Sequence, residues 1–129
     1  MAAGTIIRAA HYPGRAPIDS YGNGGFRFAG MSHRGSLLCL PSGIYGWDAP
    51  ASAVPDEASL ARLFTEADAV EILLVGTGKA LIPLPAELKA RCRAEKIVAE
   101  PMSTGAAVRT FNVLLAEGRA LAAALVAVD

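Results

Sequence analysis

The run Ile72-Leu73-Leu74-Val75, followed directly by Gly76-Thr77-Gly78-Lys79, narrows what this chain can fold into more than any other segment. A short, continuous apolar run stopped by glycine reads as a strand buried on both faces, as found inside α/β sheets. A second segment, Met102-Ser103-Thr104-Gly105-Ala106-Ala107-Val108-Arg109-Thr110-Phe111-Asn112, joins a helix-capping residue to an apolar stripe. Strand ends and helix starts of this kind meet on the rim of an α/β sheet, where ligand sites are built. At 129 residues the chain has the size of one domain. With 53% hydrophobic and 19% charged residues, its composition is that of a packed fold and not a disordered one.

Residues 1–16 read as a lead-in, with a short strand or extended stretch over 5–10, and 17–129 as a single α/β domain. Asn23-Gly24 can supply the positive φ angles of a hairpin turn before the half-buried pattern Phe26-Arg27-Phe28. A loop over 30–35 leads to an apolar strand at 36–40, stopped by Pro41 and Gly43, so the first third is antiparallel β structure. Pro55 with Asp56 and Glu57 opens a helix whose stripe is Leu60, Leu63, Phe64 and Ala67. Pro85 opens a second helix to about Glu95, and 97–99 is a short strand. Ser103 or Thr104 caps a third helix, which runs to about Glu117 and ends at Gly118. Residues 119–128 suit helix by their alanines and strand by their unbroken apolar character; after a helix ending at Gly118, strand is favoured. This order predicts a mixed sheet with about three helices packed on it.

Twelve basic residues balance twelve acidic ones, which gives no electrostatic basis for nucleic-acid binding. The longest apolar run, 120–128, falls well short of the ~20 residues of a membrane helix, and the first residues lack a secretory apolar stretch. A cytoplasmic location is the expectation. Cys39 and Cys92 are too few and too far apart for a metal knuckle or redox pair, so both read as buried small hydrophobes. No cofactor and no metal are expected.

Gly76-Thr77-Gly78-Lys79 departs from both phosphate-binding patterns. A phosphate loop needs Gly-x-x-x-x-Gly-Lys-Ser/Thr, and in Gly-x-Gly-x-x-Gly the third glycine would fall at Leu81. The start of the third helix is better placed for an anion, because its N–H groups and partial positive charge can face one. Thr77, Gly78, Lys79, Ser103, Thr104, Gly105, Arg109 and Asn112 therefore form the candidate ligand or partner site, with a small carboxylate or phosphate as ligand. The structural alternative is that Ser103 or Thr104 only caps the helix while Arg109 pairs with an acid such as Asp19. His33 and Arg34, on a glycine-bounded segment, complete the candidate list. No second histidine, acid cluster or Gly-x-Ser-x-Gly elbow accompanies them, so no catalytic residues are nominated and the reading leans away from an enzyme.

Residues 18–28 (Ile-Asp-Ser-Tyr-Gly-Asn-Gly-Gly-Phe-Arg-Phe), 33–41, Ile44 through Trp47, Leu73–Gly78 and Met102–Glu117 resemble a small family of bacterial and archaeal Mth-like proteins. That family includes the mitochondrial assembly factor 3 of respiratory complex I, and the likeness covers about residues 17–128. The resemblance implies a three-layer fold with a mixed central sheet and a strand at 119–128. It further implies bacterial members without an established activity, often encoded beside protein-export genes, and a mitochondrial relative that binds partners during complex I assembly. Respiratory-chain or membrane-biogenesis proteins are the partners it suggests. A partner-binding role predicts apolar surface near Tyr45, Trp47 or the first strand. Edge strands of a mixed sheet also offer a route to a homodimer.

Overall fold

In the computed structural model, which describes residues 12–129, alternate side chains of the apolar runs part to opposite faces of one sheet. The chain first forms a small antiparallel sheet of β1 (Ile18–Gly22), β2 (Gly25–Phe28) and β3 (Met31–Arg34). It then builds a five-stranded sheet from β4 (Ser36–Leu40), β5 (Gly43–Trp47), β6 (Ile72–Gly76), β7 (Val98–Met102) and β8 (Leu121–Leu125), ordered β5-β4-β8-β6-β7. The last strand, β8, is inserted at the centre. It pairs antiparallel with β4 and parallel with β6, and so joins an antiparallel half to a parallel half.

Period-two alternation divides the core in two. Leu38, Leu40, Leu73, Val75, Ala122 and Ala124 face one side, beneath α1 (Ala61–Phe64) and α2 (Ala86–Ala94). Leu37, Cys39, Leu74, Leu121, Ala123 and Leu125 face the other, beneath α3 (Thr104–Ala116) and the small sheet, which contributes Ile18, Phe26 and Phe28. Helices and small sheet thus cover both faces of a mixed central sheet, giving the three layers implied by the resemblance. The Cys39 thiol, sealed in the second core, has its pKa pushed up by burial to about 12.

Local chemistry accounts for the details. The predicted hairpin turn forms at Asn23-Gly24, with φ of 51° and 79°. The segment read as a loop over 30–35 instead holds β3. Its turn is Ala29-Gly30, where Ala29 takes a positive φ of 48° that its residue type does not signal. Tyr45 and Trp47, left outside any element in the sequence reading, belong to β5. The helix expected from Pro55 is broken into a 3-10 turn at Ala58–Leu60, the single turn α1 and a second 3-10 turn at Ala67–Ala69. Polar side chains compete for the backbone there: Ser59 N–H donates to Asp56 Oδ1, and the Thr65 hydroxyl donates to the Arg62 carbonyl at 2.6 Å. The stripe still buries Leu60, Leu63 and Ala67. The expected strand over 5–10 lies outside the described residues.

Gly76 marks the tightest approach of helix to sheet. A side-chain carbon there would lie 2.9 Å from Thr104 Cα and 3.2 Å from Leu125 Cδ2. Gly76→Ala is expected to destabilise the fold by about 1–3 kcal/mol through overpacking. A lower urea midpoint at constant slope is the signature, and an unchanged midpoint would contradict the packing described.

Candidate functional site

The carboxyl ends of β6, β7 and β8 converge at the rim where α3 begins, and two threonines organise the junction. Thr77 and Thr104 are the buried polar residues of the described chain, 2% and 0% exposed. A buried hydroxyl demands partners, and both have them. The Thr104 hydroxyl accepts from the Gly78 N–H at 3.0 Å and donates to the Val126 carbonyl at 2.7 Å. The Thr77 hydroxyl donates to the Ala80 carbonyl at 2.6 Å, lies 3.2 Å from the Met102 carbonyl and accepts from the Ile82 N–H at 3.0 Å.

The backbone of the glycine segment is equally committed. Gly76 carbonyl accepts from Val126 N–H, Thr77 N–H donates to the Met102 carbonyl, and Thr104 N–H donates to the Gly78 carbonyl at 2.8 Å. Gly78 reaches these partners with a φ of +97°, a conformation that favours glycine. Ser103 is the helix cap, its hydroxyl accepting from Ala106 N–H at 3.3 Å. The amides of Gly78, Thr104 and Ala106, three of those an anion at this helix start could use, are engaged within the protein.

The remaining candidates separate into two places. Lys79, Ser103, Gly105 and Arg109 line a shallow depression of about 250 Å³ with Tyr21, Gly78 and Val128. Arg109 makes no ion pair among the described residues, so the alternative pairing with Asp19 is not formed. Asn112 points to β1, where its carboxamide accepts from Ile18 N–H and donates to the Ile18 carbonyl, both at 2.8 Å. It acts like one more residue of a strand and clips the small sheet to α3. His33 and Arg34, on β3, do not line this depression. His33 Nε2 sits 3.1 Å from the Ser36 carbonyl.

Two polar clusters carry no motif that the sequence could reveal. Ser42 donates its hydroxyl to Glu66 Oε2 and its N–H to Oε1, and its Oγ lies 2.6 Å from the Tyr45 hydroxyl. Arg62 stacks over the Tyr45 ring at 4.2 Å. On the next helix, Arg91 lies 3.0 Å from both Glu57 and Glu95 and over the Phe64 ring, and the hydrogen bond to Glu57 leads the causes that raise its pKa. Both clusters pin the broken helix segment to its surroundings. Tyr45 and Trp47, expected at an exposed apolar surface, are 9% and 8% exposed, with the Trp47 indole donating to the Ser59 carbonyl. The large apolar side chains that do face outward are Tyr21, Leu81, Val98 and Val113. Among the described residues, no three of His, Cys, Asp and Glu gather closely enough to hold a metal, and no helix is long and apolar enough to cross a membrane.

These features define a three-layer α/β domain whose rim is closed by its own threonines. The chain belongs to the family described as Protein of unknown function (DUF498/DUF598), whose model matches residues 18–126. It is 42% identical over 118 residues to an uncharacterized protein of Rhodobacter capsulatus, covering 92% of this chain and 90% of that one. It is 31% identical over 117 residues to the NADH dehydrogenase (ubiquinone) 1 alpha subcomplex assembly factor 3 of Mus musculus, covering 91% of this chain but 63% of that protein. A crystal structure described as an outer membrane protein from Bartonella henselae superposes with a TM-score of 0.89 at 60% identity, covering 92% of this chain and all of that one. The chain is thus related to a complex I assembly factor.

If the Thr104 hydroxyl closes the rim, Thr104→Val should cost about 2–4 kcal/mol by stranding the Gly78 N–H and the Val126 carbonyl. Thr104→Ser keeps the hydroxyl, loses one methyl and should cost about 1 kcal/mol. Urea unfolding of the two variants checks this, and equal losses would contradict it.

Proposed function

We propose that this protein is a non-catalytic binding factor that assists assembly of a respiratory or other membrane-bound complex. The observation that carries the reading is the 31% identity to complex I assembly factor 3, which extends over 91% of this chain. The closed rim agrees with it. The buried Thr104 hydroxyl is bonded to the protein itself, which supports reading the domain as one that presents surfaces. The balanced charge, twelve basic against twelve acidic residues, suits a protein partner better than a polyanion.

A second reading, a small anion at the rim, draws on Lys79 and Arg109 lining one depression. The engaged amides of Gly78 and Thr104 weigh against it.

Tagged protein recovered from the cells that make it, with bound proteins identified by mass spectrometry, is the test. Enrichment of NADH dehydrogenase subunits or membrane-insertion components is expected, with Arg109→Ala retaining them. Recovery of the protein alone, together with intact complex I in a deletion strain, would contradict the assembly role.

A further inference from the structure

Between Asp19 and Asp48 the sequence contains no acidic residue, yet it contains Arg27 and Arg34. Folding places both on the outer face of the small sheet. Phe26 and Phe28 point into the core, so Arg27 between them points away from it and is exposed. Its partner across the ladder is Ser32, and Arg34 follows two residues later on the same face of β3. The two arginines are therefore diagonal neighbours on adjacent strands. Neither makes an ion pair among the described residues.

The space between and around them is open. Residues on this face include Ser20, Gly22, Gly25 and Ser32, as fixed by the registers Ser20↔Arg27, Gly22↔Gly25 and Arg27↔Ser32. Arg27 and Arg34 border a depression of about 370 Å³ whose floor includes Gly22 and Gly25. The Arg34 guanidinium reaches across the turn, with Nη1 3.9 Å from where a side chain on Gly24 would begin. The residues beside the two arginines on this face are small, although Gly25 itself is buried against the His33 carbonyl.

We infer that the outer face of the three-stranded sheet docks an extended acidic segment of a partner protein, with Arg27 and Arg34 gripping carboxylates two residues apart. Diagonal neighbours across an antiparallel pair stand about 7–8 Å apart. Side chains at i and i+2 of an extended chain repeat at about 6.6–6.8 Å, so an Asp/Glu-x-Asp/Glu stretch matches the arginine spacing. Each guanidinium can take a carboxylate through two parallel N–H···O bonds. Other anionic partners fit less well. Nucleic-acid binders neutralise on the order of 6–10 phosphates, and lipid-headgroup sites use about 4–8 basic residues; this face has two arginines. Of the large exposed apolar side chains that could anchor a membrane, Leu81, Val98 and Val113 lie elsewhere in the fold, and Tyr21 of β1 pairs with Phe26 and so belongs to the opposite face of this sheet.

This inference rests on the protein-binding reading and adds the face and the chemistry of the partner. The full chain is titrated into a fluorescein-labelled peptide of alternating Glu and Ser, and binding is followed by fluorescence anisotropy. Saturable binding is expected, at least tenfold weaker in Arg27→Glu/Arg34→Glu, weakened also in the milder Arg27→Gln/Arg34→Gln, and unchanged in Arg109→Ala. Thermal unfolding midpoints confirm that the variants fold. Absence of binding, equal binding by the double variants, or tighter binding to phosphatidylserine vesicles or duplex DNA would overturn it. In the native recovery experiment, partners retained by a folded double variant would overturn this face and leave the assembly role standing. Peptide bound at this face, with no partner recovered from cells, would support the face and remove the assembly role.

Discussion

The rest of the fold depends on the hydroxyl of Thr104. It sits at the first residue of α3 and bonds at once to the loop leaving β6 and to the chain leaving β8. The chain leaving two parallel strands and the start of a helix therefore share one buried atom. That arrangement needs α3 pressed against the sheet, which is why Gly76 has no room for a side chain. With α3 fixed there, its buried face covers Leu74, Ala123 and Leu125, and Asn112 is held where it can clip Ile18. The small sheet is located by that clip and by Phe26 and Phe28 in the same core.

Much of this was legible beforehand because it follows from burial and from residues with restricted backbones. The run at 72–75 reads as a buried strand since no polar side chain interrupts it, and Gly118 with a φ of 74° ends α3 where glycine favours such a stop. The alanines of 121–125 could have formed a helix by propensity alone; placement at the sheet centre, with both faces covered, made them strand. Other parts depend on contacts between residues far apart in sequence. Ala29 does not announce its positive φ and the polar residues after Gly30 read as loop, so β3 is hidden, and nothing in the stripe from Leu60 to Ala67 reveals that Asp56, Ser59 and Thr65 divert its backbone bonds.

The rim was legible in the sequence as a meeting of elements more readily than as a chemistry. The sequence brings strand ends and a capped helix start to one rim, and Lys79 and Arg109 border one depression there. It cannot say whether the polar groups gathered there face outward or toward one another. That depends on pairings such as Gly78 with Thr104, 26 residues apart. Arg34 illustrates the converse. It stands in a short polar stretch, and its proximity to Arg27 appears only once the hairpin register is known.

A domain whose rim threonines are bonded internally, and whose small sheet carries Arg27 and Arg34 on its outer face, fits a role as a platform for other proteins. The central claim is that the rim is part of the rigid core. Amide hydrogen exchange read residue by residue tests it directly, since opening of a buried tie requires unfolding while a ligand loop opens locally. The amides of Gly78 and Thr104 should exchange as slowly as those of Leu74 and Val75 in β6. Exchange as fast as that of exposed Lys79 would mean that the rim opens freely in solution, and the account of a closed rim would be wrong.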